Sequence, residues 1–143
     1  MTSPTPTPRN PTGMTIRRAD DPTQLAPTGI SSAPFRIQHL LEGSQDGETT
    51  AMRAMFDPGI ITHWHSHPGG QILFVLSGIG AAQAEGGRTE ELRAGDCVWF
   101  PPDLRHWHGA GPDSPFSYVS IQGIARGVAV EWSGAVREAG AGR

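Results

Sequence analysis

The chain of 143 residues contains no lysine and a single cysteine, Cys97. The absence of lysine excludes Schiff-base catalysis and the lysine-containing phosphate loop of nucleotide-binding proteins. One cysteine cannot form an internal disulfide framework, which favours a reducing compartment, and we expect a cytoplasmic location. The three residues after Cys97 are valine, tryptophan and phenylalanine, so we predict a small buried side chain there and not a nucleophile.

Long apolar runs and an excess of positive charge are also missing. No segment approaches the roughly 20 apolar residues of a membrane-spanning helix, so we predict no membrane partner. The 11 basic residues are outnumbered by 14 acidic residues, and the net charge of -3 offers no basic surface for nucleic acid. A nucleic-acid partner is therefore not expected.

Glycine and proline, in contrast, are abundant and divide the chain into short segments. With 19 glycines and 13 prolines, few long helices fit between the turn residues. The segments between these turns are typical of short strands, and their spacing predicts an all-β fold, a sandwich or jelly-roll barrel, in a single domain. The predicted strands are residues 35–41, 50–56, 60–67, 71–76, 79–85, 88–93, 97–100, 105–109, 116–122 and 128–132.

The two ends of the chain lack the side chains that a core needs. The first 13 residues hold four prolines and four threonines, and the last residues are rich in glycine and alanine. We expect residues 1–33 to be disordered or loop-like, residues 34–134 to form the folded domain, and residues 135–143 to be a flexible tail.

Five of the six histidines fall in two clusters in which every second residue is histidine: His63, His65 and His67, then His106 and His108. Side chains alternate between the faces of a strand, so the histidines of one cluster point to the same side. Two converging strands would direct up to five imidazoles at one point, and Gln71 adds an oxygen donor. This pattern predicts a metal site, whereas His39 stands alone and is expected to be a surface or hydrogen-bonded residue.

The same residues resemble the two sequence motifs of the cupin superfamily. The first motif, G-x5-H-x-H-x3-E-x6-G, is similar to Gly59, His65, His67, Gln71 and Gly78. The second, G-x5-P-x-G-x2-H-x3-N, is similar to Gly95, Pro101 and His106. Gln71 stands where the family has glutamate, Asp103 replaces the motif glycine and Ala110 the motif asparagine. Aspartate is tolerated at a glycine position because it adopts the left-handed conformation more readily than most residues.

A finer resemblance links the chain to small single-domain bacterial cupins that include manganese-dependent hydroxynitrile lyases. It covers roughly residues 35–132 and rests mainly on Trp64-His65-Ser66-His67-Pro68, Gly95-Asp96 and His106-Trp107-His108-Gly109-Ala110. The resemblance implies the cupin double-stranded β-helix and a divalent metal, preferably Mn(II), with Fe(II), Co(II), Ni(II) or Zn(II) as alternatives. The metal ligands that it implies are His65, His67, Gln71 and His106. It also implies a homodimer or higher homo-oligomer, which would cover exposed strands.

The reaction that this resemblance implies is the cleavage of a small-molecule cyanohydrin to an aldehyde and cyanide. His108 lies two residues beyond a metal ligand, shares its face, and is the candidate general base. Gln122 is predicted to orient the nitrile or the substrate oxygen. Tyr118 stands where the subgroup has histidine and is predicted to donate a hydrogen bond. His63 is expected at the rim of the site or beside the ligands.

Two other functions stay open at this point. An Fe(II) dioxygenase or an isomerase is compatible with the same scaffold, because one barrel hosts many unrelated reactions. A cupin that binds a metal or a small molecule without catalysis is the third alternative. The tryptophans that alternate with the histidines, and Trp99, are expected to face away from the site, in packing or in a subunit interface.

Overall fold

Ten strands form the regular structure of residues 13–137, the part of the chain that the computed structural model describes. The strands are β1 Gln24–Leu25, β2 Arg36–Glu42, β3 Thr49–Phe56, β4 Trp64–Ser66, β5 Gln71–Ala84, β6 Glu90–Arg93, β7 Cys97–Phe100, β8 His106–Ala110, β9 Phe116–Gly123 and β10 Glu131–Gly134. The all-β prediction is confirmed. Over the same residues, no helix is long and apolar enough to cross a membrane.

The predictions for the ends of the chain fall largely outside this range. Residues 1–12 and 138–143, which belong to the expected disordered segment and flexible tail, lie outside the described residues. Between residues 13 and 33, the two-residue strand β1 pairs with β2. Gln38 in β2 donates hydrogen bonds to the carbonyl oxygens of Ala19 and Asp21, and so connects the preceding loop to the sheet.

The sheet curls into two facing layers, and β5 belongs to both of them. In the first layer, the first part of β5 pairs with β7 and β9, and β9 continues through β3 and β2 to β1. In the second layer, the second part of β5 pairs with β6 and β8, and β8 continues through β4 to β10. All of these pairings are antiparallel, and the curled arrangement confirms the predicted jelly-roll fold.

The continuity of β5 corrects the sequence analysis, which ends one strand at residue 76 and begins another at residue 79. The register shifts between Val75 and Ser77, and this bulge lets the strand turn the corner between the layers without ending. Gly78 lies at the corner with φ +81°, and a Cβ there would overlap the carbonyl oxygen of Pro115. The predicted strand 60–67 is also too long, because only Trp64–Ser66 extends as a strand and its neighbours make isolated bridges.

The hydrophobic core lies between the layers and consists mainly of inward-facing residues of β2, β3, β5, β7 and β9. Phe35 stacks on Phe56 with ring centroids 4.2 Å apart, and Phe56 stacks on Tyr118 at 5.6 Å. Phe56, Leu73, Val75 and Phe100 are buried in this core, and Ile60 is partly buried and packs against it.

The position of Cys97 differs from the prediction. Its side chain is exposed, opposite Phe74 on the outer face of the sheet. Alternation along β7 explains the difference, because Phe100 points inward and a residue three positions earlier points outward.

Trp107 is fully buried, and its indole nitrogen donates to the side-chain oxygen of Gln83, whereas Trp99 is exposed on the same outer face as Cys97.

Replacing the corner glycine should cost more stability than replacing another glycine with the same backbone conformation. Gly78→Ala should lower the free energy of unfolding by about 3 kcal/mol, because a positive φ costs about 1–2 kcal/mol and overlap in a packed region about 1–3 kcal/mol. Gly59 also has φ +81° but has nothing within 4 Å of an added Cβ, so Gly59→Ala should show only the first cost. Chemical denaturation measures both losses, and equal losses would contradict a steric role for the Pro115 contact.

Candidate metal centre

Four buried histidine side chains meet inside the barrel, between the two layers. His65 lies in β4, His67 is the first residue after β4, and His106 and His108 lie in β8. His65 and His106 are direct partners in the β4–β8 ladder, which brings the two sequence clusters together. His63 is half-buried and lies outside this group of rings.

The four rings are in mutual contact. Ring centroids are 4.4 Å apart for His65 and His106, and 5.0 Å apart for His65 and both His67 and His108. His67 lies 5.4 Å from His106. One ring nitrogen from each of His65, His106 and His108 lies within 4.8 Å of the others. This group of three histidines could therefore hold a divalent metal ion. It contains His108 where the predicted ligand set has His67, and the His67 ring lies beside it, 5.0 Å from His65.

Backbone carbonyl groups orient three of the four rings. The Nδ1 atoms of three histidines donate to carbonyl oxygens at 2.8 Å: His65 to His63, His67 to Ala129 and His106 to Leu104. A carbonyl oxygen only accepts, so Nδ1 carries the proton of each neutral ring and Nε2 keeps a free lone pair. Metal-binding histidines are held in this way, with the second ring nitrogen bonded to a carbonyl or carboxylate group.

Gln71 brings an amide oxygen to the same point. Its Oε1 atom lies 3.3 Å from Nε2 of His106, and both atoms are acceptors, since the ring proton of His106 is on Nδ1. Two acceptors cannot form a hydrogen bond, but ligands of one ion with bonds of about 2.0–2.2 Å lie at a comparable spacing. Nε2 of His67 is buried without a hydrogen-bond partner. A cation would satisfy all of these lone pairs, so the residues present fit a metal ion.

His108 differs from the other three histidines. Both of its ring nitrogens are buried without a hydrogen-bond partner, although each such atom costs roughly 1–3 kcal/mol. Its ring stands edge-to-face on Tyr118, with centroids 5.0 Å apart. Both rings line a cavity, so a bound molecule can meet the unpaired nitrogens of His108.

This cavity has a volume of about 380 Å³ and a mostly apolar wall. Six of the seven predicted site residues line it: His65, His67, Gln71, His108, Tyr118 and Gln122. The sequence analysis missed Thr50, whose hydroxyl accepts a hydrogen bond from Gln122. His39 also lines the cavity, and its ring nitrogens face Gln24 and Glu42. Nothing in the local sequence around Thr50 marks it, because only the pairing of strands brings it to the site.

Burial lowers the pKa of the four histidines. Desolvation lowers the pKa of His67 to about 4 and that of His106 to about 3, against the opposing effect of their carbonyl partners. Desolvation, together with the neighbouring imidazoles, brings the pKa of His65 and of His108 well below the ordinary range. Burial raises the pKa of Tyr118 above its ordinary value, so the phenol keeps its proton. At neutral pH the cluster is uncharged, which is the form that binds a cation.

The fold and the site together define a jelly-roll barrel with an internal metal-type centre. The chain belongs to the cupin family, whose cupin domain it matches over residues 52–122. It is 43% identical over 106 residues to the (R)-mandelonitrile lyase of Granulicella tundricola, an alignment that covers 74% of this chain and 81% of the relative. The resemblance inferred from the two histidine motifs is thereby confirmed.

Solved structures support the same assignment. A cupin-like protein from Thermotoga maritima is 33% identical and superposes with a TM-score of 0.75. The alignment covers 86% of this chain and 93% of the Thermotoga protein. The polyketide cyclase RemF from Streptomyces resistomycificus, at 18% identity, superposes with a TM-score of 0.69 over 87% of each chain. The second likeness is one of fold alone.

The metal-free protein should lose stability as the pH falls from 7 to 5. Unfolded histidines titrate near a pKa of about 6.5, whereas that of His67 in the folded chain is about 4. Between these values the unfolded chain binds protons that the folded chain does not, so the free energy of unfolding falls, by about 2 kcal/mol for His67 alone at pH 5. Chemical denaturation in the presence of a chelator measures this loss. His67→Asn should show a shallower dependence, and equal stability of the wild-type chain at both pH values would contradict the prediction.

Proposed function

We propose that the protein is a metal-dependent cupin enzyme that cleaves a small hydroxynitrile to an aldehyde and hydrogen cyanide. The observation that carries the proposal is the position of His108. Its two unpaired ring nitrogens lie between a cluster of neutral metal-type donors and the wall of an apolar cavity. The identity of 43% to a protein named (R)-mandelonitrile lyase supports this choice among the reactions that cupins host.

The proposed ligands are Nε2 of His65, His67 and His106 and Oε1 of Gln71. The three histidines are those whose Nδ1 atoms are held by carbonyl groups, which leaves Nε2 free. All four ligands are neutral, so the ion keeps its full double charge, and we assign Mn(II), with Fe(II), Co(II), Ni(II) and Zn(II) as alternatives. Such a cation supplies Lewis-acid stabilisation of negative charge on a substrate oxygen.

His108 accepts the proton of the substrate hydroxyl in this mechanism. As the O–H bond breaks, the carbon–oxygen double bond forms and the bond to the nitrile carbon breaks. The electron pair of that bond leaves on the cyanide carbon. The proton then passes from His108 to cyanide, so hydrogen cyanide is released and His108 returns to its neutral form.

The cavity wall supports an uncharged substrate. Tyr118 keeps its proton and lies against His108, so it can donate a hydrogen bond to the nitrile nitrogen. Phe35, Ile37 and Met52 offer an apolar surface for the carbon skeleton of the substrate. Among the described residues, no arginine lines the cavity, so its wall offers no cationic side chain to pair with a carboxylate group of a substrate away from the ion.

Two histidine substitutions should separate metal binding from proton transfer. His106→Ala should lose the metal, and His108→Ala should keep it while turnover falls by about 10²–10⁴-fold. Elemental analysis of untagged protein measures the metal, and the absorbance of benzaldehyde released from mandelonitrile measures turnover. His63→Ala makes the same change outside the ring cluster and should retain both properties.

Other outcomes of these measurements would contradict the proposal. Full metal occupancy in His106→Ala would remove that residue from the ligand set, and an active His108→Ala would remove the base. Product formation that requires oxygen would favour a dioxygenase. A wild-type chain that takes up no Mn, Fe, Co, Ni or Zn would favour a binding module without catalysis.

We further propose that the macromolecular partner is a second copy of the chain, bound through the outer face of the first layer. Five large apolar side chains are exposed on this outer apolar face: Ile72, Phe74, Leu76, Trp99 and Ile121. Ile72 lies between Trp99 and Ile121 in the strand register, so the surface is continuous across β7, β5 and β9.

The size of the outer apolar face supports a dimer. Phe74 is 47% and Trp99 57% exposed, and the five side chains together expose roughly 330–560 Å² if each offers about 150–250 Å² in full. That matches the largest apolar patch of a typical monomer, about 300–600 Å², and is about half of the roughly 800 Å² that each partner buries in a stable complex. Residues 1–12 and 138–143 contain almost no large apolar side chains that would cover it. A second copy brings an equal apolar area to a two-fold interface.

A charge placed in the outer apolar face should therefore give a monomer. Light scattering coupled to gel filtration should show a dimer for the wild-type chain and a monomer for Phe74→Glu, because burying an unpaired carboxylate opposes association. Arg88→Gln changes the net charge by the same amount in the β5–β6 hairpin and should remain dimeric. A monomeric wild-type chain at micromolar concentration would contradict the proposed interface.

A further inference from the structure

We infer that Thr50 and Gln122 are positioning residues that make the oxygen of Gln71, and not its nitrogen, face the metal ion. The inference rests on the proposed metal centre and adds the reason why a neutral amide can serve there as a ligand. It concerns metal affinity and is independent of the reaction that the site catalyses.

The three side chains form one row across the inner face of the first layer. Thr50 in β3 is the register partner of Gln122 in β9, and Gln122 is the register partner of Gln71 in β5. Gln122 Nε2 donates to the Thr50 hydroxyl at 2.9 Å and lies 3.4 Å from the Thr50 carbonyl oxygen. Gln71 Nε2 donates to Gln122 Oε1 at 2.7 Å. The row ends where Gln71 Oε1 meets His106 Nε2.

The Thr50 end of this row sets the direction of every hydrogen bond in it. The carbonyl oxygen of Thr50 only accepts, so the amide nitrogen of Gln122 must face Thr50. The Thr50 hydroxyl accepts the shorter bond, at 2.9 Å, so its removal leaves only the contact with the carbonyl oxygen at 3.4 Å to hold the amide in this direction. The oxygen of Gln122 then faces Gln71 and can only accept, so the amide nitrogen of Gln71 must point to it. The oxygen of Gln71 therefore faces the histidines, where a metal ion would need a lone pair.

If the amide of Gln71 were reversed, the site would lose one of its proposed metal ligands. The NH₂ group has no lone pair for a cation, and the reversal would also bring two acceptor oxygens to within 2.7 Å inside the core. Gln71 and Gln122 are both buried, so an acceptor left without a donor there is costly. Both amide atoms of Gln122 are engaged in this row, which gives that residue a role other than the direct substrate contact that the sequence predicts.

A carboxylate at position 71 provides the discriminating comparison. Both of its oxygens are acceptors, so Gln122 would turn its amide nitrogen toward one of them, and the other would face the ion whichever way Gln122 points. If Thr50 acts through the orientation of the Gln71 amide, its hydroxyl should affect metal affinity only while residue 71 is glutamine. A merely structural role would affect both backgrounds equally.

Metal titrations of the full chain test the inference. Calorimetry with Mn(II), and visible absorption during titration with Co(II), should show about tenfold weaker binding for Thr50→Val, as is typical when a partner of a metal ligand is removed. Thr50→Ser keeps the hydroxyl and should stay within about twofold of the wild-type affinity. Thr49→Val makes the same substitution on the opposite face of β3 and serves as the matched control. Thermal unfolding of the metal-free variants reports any general damage.

The same titrations in the Gln71→Glu background complete the test. There, Thr50→Val should change the affinity by less than about twofold. Equal losses in both backgrounds, or an unchanged affinity of Thr50→Val in the wild-type background, would overturn the inference. A wild-type chain that binds neither Co(II) nor Mn(II) would overturn the metal centre and the inference together. A chain that binds metal with the expected differences but leaves mandelonitrile intact would support the inference and overturn only the lyase.

Discussion

The structure depends on the burial of several lone pairs that have no donor within the protein. The backbone accepts the Nδ1 protons of three imidazoles, and this directs the acceptor atoms of His65, His67 and His106 away from the hydrogen bonds of the sheet. The amide oxygen of Gln71 is added to the same place. Such an arrangement is costly in an apolar interior unless a cation is bound, so the choice of ring tautomer and the choice of ligand are one physical constraint.

The corner in β5 makes this constraint possible. Gln71 belongs to the layer formed with β9 and β3, whereas the histidines come from β4 and β8 in the other layer. Only a strand that passes through both layers holds the two sets at a constant separation. Gly78 allows the turn because no other residue fits beside the carbonyl group of Pro115 in that conformation. Asp103 has φ +67° and occupies the left-handed position that the sequence analysis expects of it.

The apolar cavity and the neutral donor set favour the same chemistry. Among the described residues, no arginine lines the cavity, so the proposed divalent ion would be the main positive charge at the site and would stabilise an oxygen that becomes negative in the proposed reaction. His108 lies between these two environments and has no other hydrogen-bond partner. The proton transfer that we propose uses this combination.

The sequence by itself determined the properties that depend on local spacing. The density of glycine and proline predicted short strands, and the alternation of histidines predicted which side chains share a face, because a strand repeats every two residues. The two motifs were enough to predict the fold, the family and a metal-type cluster. They did not distinguish the carbonyl-held rings of His65, His67 and His106 from the unpaired ring of His108, since Ala129, one of the carbonyl partners, lies 62 residues away from His67.

Only the tertiary structure decided the features that depend on strand register. It paired Thr50 with Gln122 and Gln122 with Gln71, and it joined two predicted strands into β5. The physical reason is that register comes from contacts between distant segments, and a shift of one residue would move every side chain to the opposite face of its strand. Local pattern therefore supplied the ligands, and the pairing of strands decided how they are oriented.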